Sequence, residues 1–189
     1  FEWIDITPEK SSFDLDIAID ATLKAEGDLS GRLSSTVKGY PAQRILEQLG
    51  NGKSTRDVAV STFFEIYGSE SIISAEINTS RNTGGIEVEV TINFDIETYA
   101  TSFTDGLEFR PMIVGYLFQN PFESASRKVP ITLDAPENLD VNYTISIPDG
   151  FVAEQNSGER DVRLNGAELV ETYNIEADRL VYGFNINIS

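Results

Sequence analysis

Between Phe13 and Leu23 every residue but one, Ala18, fits a single alternation: Phe13, Leu15, Ile17, Ile19, Ala21 and Leu23 share one phase, and Asp14, Asp16, Asp20 and Thr22 hold the other. A period of two matches the pleat of a strand, whose side chains alternate between faces, and not the 3.6-residue period of an amphipathic helix. The first long element is therefore a strand with one face buried. Ala25-Glu26-Gly27-Asp28 supplies a turn, and Leu29, Leu33 and Val37 then alternate with Ser30, Arg32, Ser34 and Lys38. That order predicts an antiparallel hairpin.

The period changes after Gly39. Pro41 suits the first turn of a helix, Ala42, Ile45, Leu46 and Leu49 keep one face apolar, and Gly50 suits a helix end, which predicts a helix near 41–49. Ser54 stands three residues before Asp57 in a capping-box arrangement, and Val60, Phe63, Phe64 and Tyr67 fall at helical spacing before Gly68, which predicts a second helix near 55–67. Strands are expected again at Ile73, Ala75 and Ile77, from Ile86 to Ile96 beyond the Gly84-Gly85 turn, and near 107–118. Residues 119–126, with Asn120-Pro121-Phe122, read as a crossover loop or boundary. Further alternating runs follow from Val129 to Leu133, Leu139 to Ile147, Val162 to Leu164, Leu169 to Ile175 and Tyr182 to Ile188.

The fold class expected is mainly β, with antiparallel β-sandwich-like layers and one inserted helical hairpin. The expected organisation is a linker over 1–12 leading from a missing upstream domain, a β-rich subdomain over 13–119, and a C-terminal sandwich-like subdomain over 127–189. A chain of 189 residues with 40% apolar residues needs no disulfide or metal to hold such a core.

The composition excludes chemistry. With no Cys and no His, Cys–His and Ser–His nucleophilic catalysis, an imidazole base and most zinc sites are removed. A carboxylate pair, a Ser–Lys pair or an oxygen-ligated cation remains. Fourteen basic against thirty-one acidic residues give a net charge of −17, which repels nucleic-acid phosphates and anionic lipid. No run of eighteen apolar residues is present, so no membrane span is expected.

Three patterns resemble sites. Gly50-Asn51-Gly52-Lys53-Ser54-Thr55 ends like a phosphate-binding loop, but Glu47 stands where that loop needs a glycine and a helix precedes it, so a solvated turn with Ser54 as cap is expected. Asp14, Asp16 and Asp20, with Glu26 or Asp28 near the turn, are of the type that holds calcium, but their spacing matches no known loop and no metal is expected. The aromatics Phe63, Phe64, Tyr67, Phe103, Phe109, Tyr116, Phe118 and Phe122 are expected mainly in the core. Exposed and coplanar, they would instead suit a sugar. Trp3 and Ile4 lie outside the regular pattern and are the candidate interdomain contact.

Four segments carry a resemblance: Gly27-Asp28-Leu29-Ser30-Gly31; Gly39-Tyr40-Pro41-Ala42-Gln43-Arg44; Asn120-Pro121-Phe122 leading to Arg127-Lys128-Val129-Pro130-Ile131; and Tyr143 to Ile147 followed by Pro148-Asp149-Gly150-Phe151. In this order they resemble the C-terminal β-rich domain of unknown function of bacterial transglutaminase-like proteins, which place it after a papain-like core. The resemblance implies a noncatalytic accessory domain without a cofactor, which positions the core or mediates a protein interaction. It also implies a periplasmic, outer-surface or secreted location. The implied partners are the upstream transglutaminase-like domain and another envelope protein or a glycan. A carbohydrate-binding module is the alternative, and a stand-alone glycosidase follows it.

Overall fold

The structure, a computed structural model, describes residues 13–82, 85–114, 137–154, 157–164, 166–176 and 178–188. The strand signal of Phe13 to Leu23 becomes β1 (Phe13–Leu23), all six of its apolar residues buried on one face. β1 forms the expected antiparallel hairpin with β2 (Leu29–Gly39), in register from Phe13 opposite Gly39 to Leu23 opposite Leu29. In the turn between them, Gly27 takes a positive φ of 98° and donates its N–H to the Lys24 carbonyl. Gly31 faces Ala21, and a Cβ there would sit 2.4 Å from the Asp20 carbonyl oxygen, a contact with backbone that cannot swing away.

The chain then builds α1 (Tyr40–Gly50) and α2 (Thr55–Ala59), which continues as a π-helical turn over Val60–Phe64. The sequence spacing predicts a single α-helix here. Phe63 and Phe64 are both buried in this widened turn, on the face that their spacing from Val60 assigns them. Ser54 accepts the Asp57 N–H at 3.2 Å, as its capping position requires.

β3 (Ile72–Asn82) and β4 (Gly85–Ile96) follow as a hairpin. The register slips between Ile72 and Ser74, a β-bulge that buries Ile72 and turns Ile73 out to 63% exposure. The even alternation expected from Ile73 onward is broken for that reason. After β4 comes a two-residue pair, β5 (Thr101–Ser102) with β6 (Leu107–Glu108). The strand expected near 107–118 is thus limited to Leu107–Glu108 among the described residues. Pro111, which has no N–H to give a ladder, lies in the unpaired stretch that follows.

The remaining strands are β7 (Glu137–Ser146), β8 (Gly158–Leu164), β9 (Ala167–Glu176) and β10 (Arg179–Ile188). All but β5 and β6 join one eight-stranded sheet in the order β3-β4-β2-β1-β7-β10-β9-β8. The fold is mainly β with one inserted helical hairpin, as expected. Its strands lie side by side, and the helices pack on the apolar face over β1 to β4. The segments 13–119 and 127–189 meet in this sheet, because β1 pairs with β7 in parallel from Phe13–Glu137 to Thr22–Ser146. Every other strand pair in the sheet is antiparallel.

Two substitutions test this packing. Phe63→Ala or Phe64→Ala, each deleting a ring at 1% exposure or less, lowers unfolding stability by about 3–5 kcal/mol in urea titrations. Gly31→Ala, which adds only a methyl group, costs about 1–3 kcal/mol because the β1–β2 backbones must move apart. An unchanged urea midpoint in either case contradicts the placement.

Candidate functional site

The site is built where the apolar face of the sheet passes beyond the helices. On β9, Leu169, Glu171, Tyr173 and Ile175 face the same way as Leu180, Tyr182, Phe184 and Ile186 on β10. Tyr182 and Phe184 are buried against Tyr143 of β7, with ring centroids 5.7 and 6.5 Å from it. Leu169, Tyr173, Ile175, Leu180 and Ile186 are only half-buried. The strip formed by Tyr173, Ile175, Leu180 and Tyr182 floors an open cleft of about 1480 Å³.

Two loops make its walls. One, residues 102–112, is held by a line of rings that starts in the core: Phe94 lies 5.2 Å from Phe64, Phe64 6.2 Å from Tyr67, Tyr67 6.2 Å from Tyr99, and Tyr99 6.0 Å from Phe109. The Tyr99 hydroxyl donates to the Arg110 carbonyl, and Ala100 donates its N–H to the Gly27 carbonyl at 2.8 Å. The β5–β6 hairpin closes with Phe103 donating to the Gly106 carbonyl and leaves the Phe103 ring 56% exposed at the cleft. The other wall is 147–154, where Ile147 donates to the Asp178 carbonyl, Phe151 donates to the Pro148 carbonyl, and Gly150 turns with φ 85°.

Glu171 is the anomaly of the floor. It occupies the apolar phase of β9 directly opposite Phe184, and its Oε1 accepts the Tyr182 hydroxyl at 2.7 Å. Desolvation raises the Tyr182 pKa above the ordinary tyrosine value, and the Glu171 carboxylate raises it further by holding the phenol proton. Among the described residues, Asp105, Glu108, Glu154 and Glu171 line the cleft against one basic group, Arg110. The site is therefore a slot with apolar and aromatic surfaces and an acidic balance, suited to binding.

The residues singled out in the sequence fall as follows. Trp3, Ile4, Tyr116, Phe118 and Phe122 lie outside the described residues. Lys53 donates to Gln48 at 3.0 Å and Ser54 caps α2, the solvated turn expected of the Gly-Lys-Ser segment. Asp14, Asp16 and Asp20 share the outer face of the sheet, where Asp14 accepts an Asn138 amide at 2.8 Å. Asp28 instead accepts the Thr98 N–H at 2.9 Å. Among the described residues no three acids converge as metal ligands. Phe63 and Phe64 are core, whereas Phe103 and Phe109 reach the cleft. Sequence reading passed over Glu171, Tyr173 and Tyr182. The available signal was Glu171 itself, an acid in the apolar phase between Leu169 and Tyr173.

Burial raises the pKa of Tyr67, Tyr99, Tyr143 and Tyr182 above the free value of 10.0. Below pH 10 both states keep these protons, and above it the unfolded state releases them first, so stability falls as pH rises. Urea midpoints measured from pH 8 to 11 are expected to be insensitive to these groups at first and to drop beyond pH 10. Tyr143→Phe, which removes one such proton, makes the drop shallower. A slope identical in wild type and variant contradicts the assignment.

No family model matches this chain, and no curated protein matches it.

Proposed function

We propose that this chain is a noncatalytic accessory domain of a larger protein, and that its cleft docks a basic, apolar surface of the domain beside it. The single observation that carries the reading is the half-buried strip on β9 and β10. Its apolar face continues from a closed core into an open slot and holds a carboxylate, Glu171, bonded to Tyr182. Apolar area of this kind gains most when a partner covers it, and an acidic balance selects a partner of opposite charge. The absence of Cys and His agrees with a noncatalytic role. The resemblance to the C-terminal domain of bacterial transglutaminase-like proteins supplies the context: a papain-like core as the neighbour, in a periplasmic, outer-surface or secreted protein.

The exposed Phe103 beside Phe109, Phe151 and Tyr173 favours one second reading, a carbohydrate-binding cleft in which rings stack on sugar faces. The test is to prepare the parent protein without this region and add the region back in trans. Restored thermal stability of the parent, weakened about tenfold in apparent affinity by Phe103→Ala or Glu171→Lys and reduced by salt, is the expected result. A parent indifferent to the region, with oligosaccharides bound instead and released by Phe103→Ala, replaces this reading with the second.

A further inference from the structure

The two edges of the eight-stranded sheet are built differently. β8 closes one side, and four of its seven residues, Glu159, Arg160, Asp161 and Arg163, are charged. Arg163 is paired with Asp161 at 3.0 Å and with Glu168 at 2.8 Å. Charges crowded on an edge strand are the usual guard against pairing with another chain. β3 closes the other side without that guard. At its start the bulge and Arg56, whose guanidinium donates to the Ile73 carbonyl at 3.0 Å, occupy the edge. From Ser74 to Ser80 the strand stays in register with β4, carries one charge, Glu76, and has no proline. Among the described residues no strand pairs with its outer edge.

We propose that β3 pairs with β3 of a second copy of this chain, antiparallel about a two-fold axis through Ile77, so that two sheets become one. The register follows from side chains. With Ile77 on the axis, Ser74 faces Ser80, Ala75 faces Thr79 and Glu76 faces Asn78 of the other copy, so no like charges stand opposite one another. Moving the axis one residue towards the N-terminus puts Glu76 against Glu76, which is unfavourable. Ile77 and Ala75 point to the apolar side of the sheet, where both are half-buried. The chosen register brings Ile77 against Ile77 and extends the apolar face across the axis. A short strand-to-strand contact belongs to the weak class of interfaces, and two copies at −17 each repel, so the dimer strengthens with salt instead of weakening.

The test is sedimentation equilibrium of the 189-residue chain up to about 1 mM, at about 0.05 and about 0.5 M salt. Dimer is expected at the upper concentrations, more of it in high salt, with amides of β3 gaining hydrogen-exchange protection and those of β8 unchanged. The double variant Ser74→Lys/Ser80→Lys sets like charges opposite one another twice and lowers the association constant about tenfold. Ser74→Glu/Ser80→Glu does the same, and mixing the two double variants restores association through unlike pairs. Glu159→Lys on β8 changes net charge as much as the lysine pair does and leaves association undiminished. Circular dichroism spectra matching the wild type establish that each variant is folded. A chain that stays monomeric under all these conditions overturns the proposal. So does a dimer that survives both double variants, or one that Glu159→Lys weakens equally.

Discussion

β1 and β7 run in the same direction through the middle of the sheet, and their ten-residue pairing is the contact on which the two halves depend. On one side of it stand β2, β4 and β3 with the helical hairpin; on the other stand β10, β9 and β8. A parallel pair cannot be closed by a tight turn and needs a long connection, which here is the whole stretch of chain between the end of β1 at Leu23 and the start of β7 at Glu137. The pairing succeeds because both strands present apolar side chains in phase: Leu15, Ile17, Ile19 and Ala21 lie level with Leu139, Val141, Tyr143 and Ile145 on one face. A slip of one residue would turn the whole set towards water.

The opposite face of the same seam sets a different problem, since Asp16 of β1 lies beside Asp140 of β7. Amides manage the charge. Asn142 donates to Asp140 at 2.7 Å, while Asn187 donates to Asn138 and Asn138 to Asp14, each at 2.8 Å, linking three strands in a chain that ends on a carboxylate. Donors that bring no charge satisfy acids without adding repulsion, which matters in a chain at −17. The cleft handles an acid in another way, by bonding Glu171 to the Tyr182 phenol within an apolar floor. That contrast is why the cleft, and not the acid-rich outer face, supports a binding role.

Elements with local signals were legible in the sequence. The alternation of Phe13 to Leu23, the turn at Gly27, the cap at Ser54 and the buried pair Phe63 and Phe64 each follow from spacing within a few residues. What joins distant segments was not. Nothing in Leu139 to Ile145 marks β1 as its parallel neighbour, because backbone pairing leaves no signature in composition. The bulge at Ile73 depends on how β3 meets β4, and a period count over three isoleucine-rich positions does not register it. For the cleft, Phe103 and Phe109 were visible as aromatics, but their exposure depends on the ring chain from Phe94 to Phe109 and on where the helices stop covering the sheet. Only Glu171 carried its own clue.

The central parallel seam also shapes how the chain reaches this fold. Asp14 and Asn138 meet across 124 positions of sequence, whereas Leu23 and Leu29 of the first hairpin are joined by one turn. Closing the longer loop costs about 2–3 kcal/mol more in chain entropy, and contacts of such separation slow folding. The hairpin of β1 and β2 and the group formed by β7 to β10 are therefore the units that form before the seam closes. Each then waits with one strand edge unpaired, β1 on one side and β7 on the other, until the two find each other. During synthesis β1 emerges long before β7, so the most apolar strand of the protein spends that interval with an open edge. A strand kept soluble by Asp14, Asp16 and Asp20 tolerates the wait, and the acids of its outer face are as much a property of the unfinished chain as of the finished sheet.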